Sequence, residues 1–588
     1  MPTESNIPTP ATPDVCTMAI LLGGEELPAT YHVLSVSVNR ELNRIPFAQL
    51  CLLDGEASEG TFEASNSTYF IPGKEIEIQL GYGSHNDTVF KGIIVKHSLK
   101  IRKNGSQLIV ECRDKAVKMT SGIKSRYFIN RKDSDIIDEL ITQYGLQKEI
   151  DSTLPDLREV VQYQSTDWDF MLCRAEANGQ VVIVEDGKIK VTKPATGGET
   201  VVKVQYGLTL MEFDAEIDAR IQNKSIKASS WNAADKEMIE TSASEPETTR
   251  NGNLSHTVLS GVTSGDELRI QHGGRLSEPE LKAWANGRLL KERLAMIRGR
   301  ARFQGFAGVK PGKIIEITGI GERFEGKMYV SGIRHTLSAG NWETDVQLGL
   351  NPELFSETYN LNPLPAAGLL PSVSGLQVGV VTALENDPEG EDRIKVRLPL
   401  ISTSDDGIWA RISTLDAGKQ RGTFFRPEIG DEVIVGFLND DPRHPVILGM
   451  MHSSYNPAPE PAKDVNHNKG YVSREKLKLT FDDEKKNITL ETPAGNLIRL
   501  SDDDKGITFE DQNGNKITMN ENGIAIESMK ELTLKATTNL SIEGVDMTAK
   551  ASATFKAEGS ASAEISGAST SVKGSGMVVI QGGMVQIN

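Results

Sequence analysis

An eight-residue beat near the end of the chain limits its possible folds more than any other feature. Met547, Phe555, Ala563, Ser571, Val579 and Ile587 are each eight apart, and so are Ile526, Leu534 and Ile542. Eight matches neither the 3.6-residue helical period nor a coiled-coil heptad. It fits short strands that alternate in and out with a turn between them, each unit being one rung. A rung from one chain buries little by itself, so such repeats are stable only when stacked or when chains wind around one another. The expectation is a rigid β-rod.

Ile524, Leu532 and Leu540 run two residues ahead of the second series, as same-face neighbours on a strand must. The beat slips once: the step from Ile542 to Met547 is five, and Gly544 in that gap suggests a bulge or bend. Beyond Ala551 the filling is Ala, Ser and Gly through Gly576, which implies a narrow shaft. Val578, Val579, Ile580, Val585 and Ile587 restore apolar filling at the end. Flexible linkers share the Ser/Ala/Gly composition. A solvated linker, however, has no reason to keep apolar residues in phase or to finish on Gly582-Gly583-Met584-Val585-Gln586-Ile587-Asn588.

The 588-residue length predicts several domains, and 38% hydrophobic with 25% charged residues is ordinary for a folded soluble chain. Met1 to Pro13 is polar and Pro-rich, and no run of 18 apolar residues occurs. Neither a signal peptide nor a transmembrane segment is expected. A net charge of −17 argues against nucleic acid as a partner, because phosphate binding needs concentrated Lys and Arg. Cys16, Cys51, Cys112 and Cys173 lie far apart without ligand spacing and read as buried free thiols.

Residues 14 to about 120 read as strands of a barrel or sandwich, for example Glu75-Ile76-Glu77-Ile78-Gln79-Leu80 with strict alternation. Asp133-Ser134 opens an amphipathic helix carrying Ile136, Ile137, Leu140, Ile141 and Tyr144, stopped by Gly145. A second helix comes next in DWDFMLCRAEANG, with Asp167 as its expected N-cap and Gly179 as its stop. Ser277 and Glu280 form a capping box for a longer helix through Met296, and strands at Ile314 to Ile317, Lys327 to His335 and Trp342 to Leu350 complete a second β-rich unit. A Pro/Gly linker separates these from a compact run of short strands, Leu376 to about Tyr455, which suggests a small closed barrel of OB type. In it, Val433 to Leu438 reads as a strand apolar on both faces. Pro457, Pro459 and Pro461 mark another linker. Strand segments then recur at Ile488 to Leu490, Leu497 to Leu500, Ile507 to Phe509 and Ile517 to Met519.

This order resembles the VgrG spike proteins of contractile injection systems, related to the hub and puncturing spike of contractile phage tails. The most specific stretch is FFRPEIGDEVIVGFLNDDPRHPVILG, Phe424 to Gly449. Its Arg426, Pro427, Gly430, Asp431, Gly436, Pro442, Pro445 and Gly449 look like the family's OB signature. DWDFMLCRAEANG and FEGKMYVSGIRHTLSAGNWETDVQLG resemble hub segments less specifically. The implied fold class is mainly β with a few helices. Residues 1–360 would be hub-like β-barrel domains with helical inserts, 361–375 a linker, 376–455 the OB domain, 456–475 a linker and 476–588 a triple-stranded, intertwined β-helix or β-prism shaft with a blunt tip.

The resemblance further implies a homotrimer with Ile526, Leu534, Ile542, Met547, Phe555, Val579 and Ile587 in the shaft core. It implies a hexameric inner tube protein (Hcp-like), baseplate proteins and effectors as partners. A PAAR-type tip protein would dock on Gly582 to Asn588. The trimer would assemble in the bacterial cytoplasm and leave with the injection particle, whether a type VI system, an extracellular phage-like particle or a membrane-anchored variant. Some phage spikes hold an apical metal on closely spaced histidines, but the last histidine here is His467.

No HExxH, GxxxxGK[ST] or GxSxG motif is present, and His335 and His444 sit where structural hydrogen bonding explains them. Ser501-Asp502-Asp503-Asp504-Lys505-Gly506 is not a calcium loop, because Lys505 and Gln512 stand where carboxylates are needed. About twenty residues join Tyr455 to Leu477, too few for an inserted glycosidase. No catalytic, cofactor-binding or metal-ligating residue is assigned, and no cofactor is expected. A trimeric tail-fibre adhesin and a cell-wall hydrolase hub are the alternatives, both less well matched by the OB and hub segments.

Overall fold

The computed structural model describes residues 15–83, 85–103, 105–248, 251–263 and 267–587. The chain forms two compact units, Met1–Leu376 with Gly436–Val446, and Gln377–Val435 with Ile447–Asn588.

The first unit is built on a 13-stranded sheet. The alternation read in Glu75 to Leu80 places Ile76, Ile78 and Leu80 inward on a strand that runs Glu75–Tyr82, and Leu50, Phe90 and Val110 fill the same core. Phe303, Ile315, Val330 and Val346 fill a second core. The two β-rich units expected from the sequence are two parts of this sheet. Gly326–Ser338 pairs antiparallel with Val33–Glu41, Ile333 opposite Arg40, and so joins strands from opposite ends of the unit. Nothing in local periodicity signals such a pairing.

A third core holds the helices. Asp133–Thr142 buries Ile136, Ile137, Leu140 and Ile141, and packs with Asp167–Ala177 and the hairpin of Val181–Glu185 and Lys188–Thr192. The N-cap of the second helix is Thr166, not Asp167: the Thr166 hydroxyl accepts from the Asp169 N–H at 3.0 Å. Asp167 is one residue inside because its carboxylate is needed elsewhere. The long helix spans Glu278–Leu294, two residues short of the expected end, and carries the expected capping box. Of the four free cysteines only Cys112 is buried. Cys16, Cys51 and Cys173 are half-buried, because their strand and helix positions lie at the margins of the cores.

In the second unit, Gln377–Ala383, Ile394–Arg397, Ile408–Ile412, Pro445–Met450 and Glu432–Phe437 close into the expected five-stranded barrel. Val381, Ile394, Val396, Ala410, Val433, Val435 and Ile447 fill it. The strand expected to run through Leu438 ends at Phe437. Val433, Val435 and Gly436 are buried while Ile434, on the face opposite the two valines, and Phe437 at the strand end are only partly covered, as in a one-layer barrel wall, and Leu438 is exposed in the turn after it.

Asn468–Val472, Lys478–Asp482, Asn487–Glu491, Leu497–Ser501, Gly506–Glu510, Lys516–Asn520 and Gly523–Glu527 form a seven-stranded antiparallel meander. Past Glu527, no backbone–backbone hydrogen bond is made among the described residues. Met1 to Pro13, read as polar and Pro-rich, lie outside the described residues.

Candidate functional site

The meander has one apolar face. Its register lines up Tyr471, Leu479, Leu490, Ile498, Phe509, Ile517 and Ile526 in one cross-strand ladder, and Phe481, Ile488, Leu500, Ile507, Met519 and Ile524 in a second. Strand alternation puts both ladders on the same side, and the other side carries Thr480, Thr489, Arg499, Thr508 and Thr518. No ladder residue is buried: Leu490 is 46% exposed, Ile526 52% and Ile524 69%. Leu490, Ile498, Phe509, Ile517, Ile526 and Leu532 line a groove of about 690 Å³ on this face. A two-ladder apolar face is far more than the scattered exposed apolar residues normal on a protein surface.

A regular repeat builds this face. The strands Lys478–Asp482, Leu497–Ser501 and Lys516–Asn520 start at one constant spacing, and the turns that begin at Ser473, Thr492 and Asp511 keep the same spacing. Its sequence signal, Gly495-Asn496 and Gly514-Asn515, is fainter than that of the octads.

Beyond Glu527 the described residues form neither helix nor strand, and the backbone bends every seven or eight residues: Met529-Lys530, Thr537-Thr538, Val545-Asp546, Ser552-Ala553, Ser560-Ala561, Ala568-Ser569, Ser575-Gly576 and Gly583-Met584. The residue before each bend is small: Ser528, Ala536, Gly544, Ala551, Gly559, Gly567, Gly574, Gly582. A Cβ at Gly559 would lie 2.0 Å from the Ser562 carbonyl oxygen, and one at Gly574 2.7 Å from that of Met577. Gly544 is therefore not a single slip in the beat but one member of the series that makes the bends. The side chains expected in the shaft core are all exposed within one chain: Ile526, Leu534, Ile542, Met547, Phe555, Val579 and Ile587. At the tip, Gly582, Gly583, Met584, Val585, Gln586 and Ile587 are likewise exposed, and Asn588 lies outside the described residues.

Of the residues in the Phe424 to Gly449 stretch, Gly430 and Pro442 stand in turns and Gly436, Pro445 and Gly449 in strands. Gly430 adopts a φ of +93°, and its N–H donates to the Val381 carbonyl at 2.9 Å. The Asp431 carboxylate accepts from the Glu428 N–H at 2.8 Å, and Arg426 pairs with Asp392 at 2.7 Å. Pro427 and Gly436 are buried. Pro445 starts the last barrel strand, which contains Gly449. Around Pro442, the Arg443 guanidinium and N–H hold the Asp441 carboxyl down at about 2, and the His444 N–H donates to the Asp441 carbonyl.

Two clusters of charged and polar groups inside the first unit satisfy one another, whereas Gln180 Oε1, Tyr329 Oη and Trp342 Nε1 are buried without a hydrogen-bond partner among the described residues. Burial would raise the Asp167 carboxyl. Lys124 at 2.5 Å, Gln162 at 2.9 Å, Tyr144 at 2.7 Å and Arg126 at 2.6 Å outweigh it and hold the group at about 2. Glu176 pairs with Lys291 at 2.7 Å and accepts from the Phe355 N–H at 2.6 Å. His335 is fully buried, within 3.0 Å of the Thr344 hydroxyl. Desolvation, then the nearby Arg40 charge, hold its imidazole down at about 3. Among the described residues no group of three or more His, Cys, Asp or Glu could hold a metal ion, and no helix is long and apolar enough to cross a membrane.

A strand-rich unit, a five-stranded barrel, a meander with an open apolar face and a regularly bent segment follow one another along the chain, and its matches include VgrG spike proteins and phage-baseplate domains. The chain belongs to the Alg8 N-terminal domain family, whose model matches residues 12–339, more than half of its length. Residues 377–452 match the type VI secretion system/phage-baseplate injector OB domain, and 487–588 the phage baseplate V C-terminal trimerisation domain. The type VI secretion system spike protein VgrG1b of Pseudomonas aeruginosa is 26% identical over 372 residues, 57% of this chain and 47% of that one. The actin cross-linking toxin VgrG1 of Vibrio cholerae is 36% identical over 100 residues, 15% of this chain and 9% of that one. A solved Francisella PdpA-VgrG complex aligns with a TM-score of 0.38 at 11% identity, covering 88% of this chain and 80% of the other. This chain spans about half the length of VgrG1b.

Proposed function

We propose that three copies of this chain form the spike of a contractile injection machine of the type VI secretion class. The observation that carries this is the 487–588 region, which matches a trimerisation domain and combines an uncovered apolar face with a shaft that makes no backbone–backbone hydrogen bond among the described residues. Backbone N–H and C=O groups in a packed rod require partners, and neighbouring copies supply them. Three apolar faces turned inward make a prism, and three bent strands wound together extend it. Each inserted side chain contributes roughly 1.5–3 kcal/mol per copy.

The work of such a spike is mechanical. The head seats on a hexameric tube and baseplate proteins, the shaft transmits force to a target envelope, and the tip at Gly582 to Ile587 receives a conical cap protein. Effectors travel with the particle, which assembles in the bacterial cytoplasm. The names of the curated relatives and the OB-domain match favour this over an adhesin or a cell-wall hydrolase. Electron micrographs of the purified full chain test the proposal. Three-fold particles with a broad head and one thin spike are expected, and uniformly monomeric particles with a flexible tail would contradict it.

A further inference from the structure

The boundary between the self-paired meander and the unpaired shaft is marked by one side chain. In each repeat of the meander a turn closes on itself, and in two of them the closing residue is an asparagine that also reaches the next turn. The Asn496 Oδ1 accepts from the Gln512 N–H at 3.2 Å. One repeat later, the Asn515 Oδ1 accepts from the Met529 N–H at 2.9 Å and from the Ser528 hydroxyl at 3.2 Å. Asn515 is itself fixed, its Nδ2 and N–H donating to the Asp511 carboxylate at 2.7 and 2.9 Å. The side-chain bond first, then the backbone bonds, hold that carboxyl at about 2. Gly514, at φ +85°, leaves the space in which the Met529 side chain lies, 3.3 Å from where a Cβ would stand.

The chain leaves the two asparagines by different routes. After Gln512 it turns back and pairs again as Lys516–Asn520. After Met529 it makes the first bend of the shaft, and among the described residues it makes no further backbone–backbone hydrogen bond within its own chain. Ser528 is also the first of the small residues that precede every bend. We propose that Asn515 is the register-setting residue of the shaft. It fixes the residue at which the chain stops pairing with itself, and so aligns three copies on the same first rung before the repetitive Ala/Ser/Gly stretch is wound. That stretch needs such a device, because an octad of small residues slipped by one unit loses little packing, and register is weakly specified where side chains do not distinguish the alternatives. The proposal rests on the three-chain reading above.

Hydrogen–deuterium exchange on the full-length protein tests it, with Asn515→Ala compared against Asn496→Ala. Both substitutions remove a side-chain acceptor from a turn-to-turn bond, but only the first lies at the handover. Asn515→Ala is expected to raise exchange about tenfold or more across residues 529–587, while 478–527 stays protected. Ser528→Ala should move the same amides less, and Asn496→Ala should act only near Gln512. Exchange in the head and barrel of the same samples controls for folding. Local and equal effects of the two asparagine substitutions, with the shaft still protected, would overturn the register role. A wild-type protein unprotected throughout 529–587 would instead overturn the three-chain reading, and the proposal with it.

Discussion

Leu50 in the head and Leu534 in the shaft are the same residue in opposite circumstances. Leu50 is fully buried by its own chain, and Leu534 is 62% exposed. The head also pairs its backbone across long separations, whereas the described residues of the shaft make no backbone pairing with one another. The contrast teaches that one sequence can encode two kinds of stability. One is complete within a chain and independent of concentration. The other exists only when copies meet.

The sharpest way to break this comparison is to charge the shaft. Leu534→Asp with Ile542→Asp removes two apolar contacts in each of three copies, a loss of roughly 9–18 kcal/mol of assembly free energy. Native mass measurement should show monomer, while thermal unfolding of the head stays unchanged. A smaller effect, about 3–9 kcal/mol over three copies, is expected from Gly559→Val, which drives a side chain onto the Ser562 carbonyl and opens a bend. Gly576→Ala, with nothing within 4 Å, is its silent partner, and SDS-resistance of the assembly separates the two. The converse test is Phe303→Ala in the head. It should cost about 3–5 kcal/mol in chemical denaturation of the head and leave the assembly's mass intact.

Acid should act on the head as well. A buried, neutral His335 held at about 3 against an ordinary 6.5 leaves the unfolded chain with the greater proton uptake. Its contribution is complete above pH 6.5 and falls as pH drops toward 3. Asp167, held at about 2 against 3.8, contributes fully above about pH 4 and is lost as pH falls through 3.8 toward 2. The melting temperature of the head should therefore begin to fall below pH 6.5 and fall more steeply below 4. His335→Gln should flatten the first part of that curve.

Much of the molecule is legible in the chain itself. The alternation of Glu75 to Leu80, the capping box at Ser277 and the barrel strands are local patterns, and local patterns survive in a sequence. The pairing of Val36 with Leu337 is not legible, because pairing between such distant segments leaves no periodicity. Asp167 reads as a cap in sequence because its partners Lys124, Arg126 and Gln162 come from other strands. In the shaft the apolar octads are plainer than the small residues. Those, from Ser528 to Gly582, follow steps of both seven and eight, and only the bends they permit make their phase visible.

The most direct test is the native mass of the full-length chain together with amide exchange over residues 528–587. A shaft completed by neighbouring copies predicts a particle of three 64.1 kDa chains with slow exchange along those residues. A single 64.1 kDa chain exchanging freely there would contradict it.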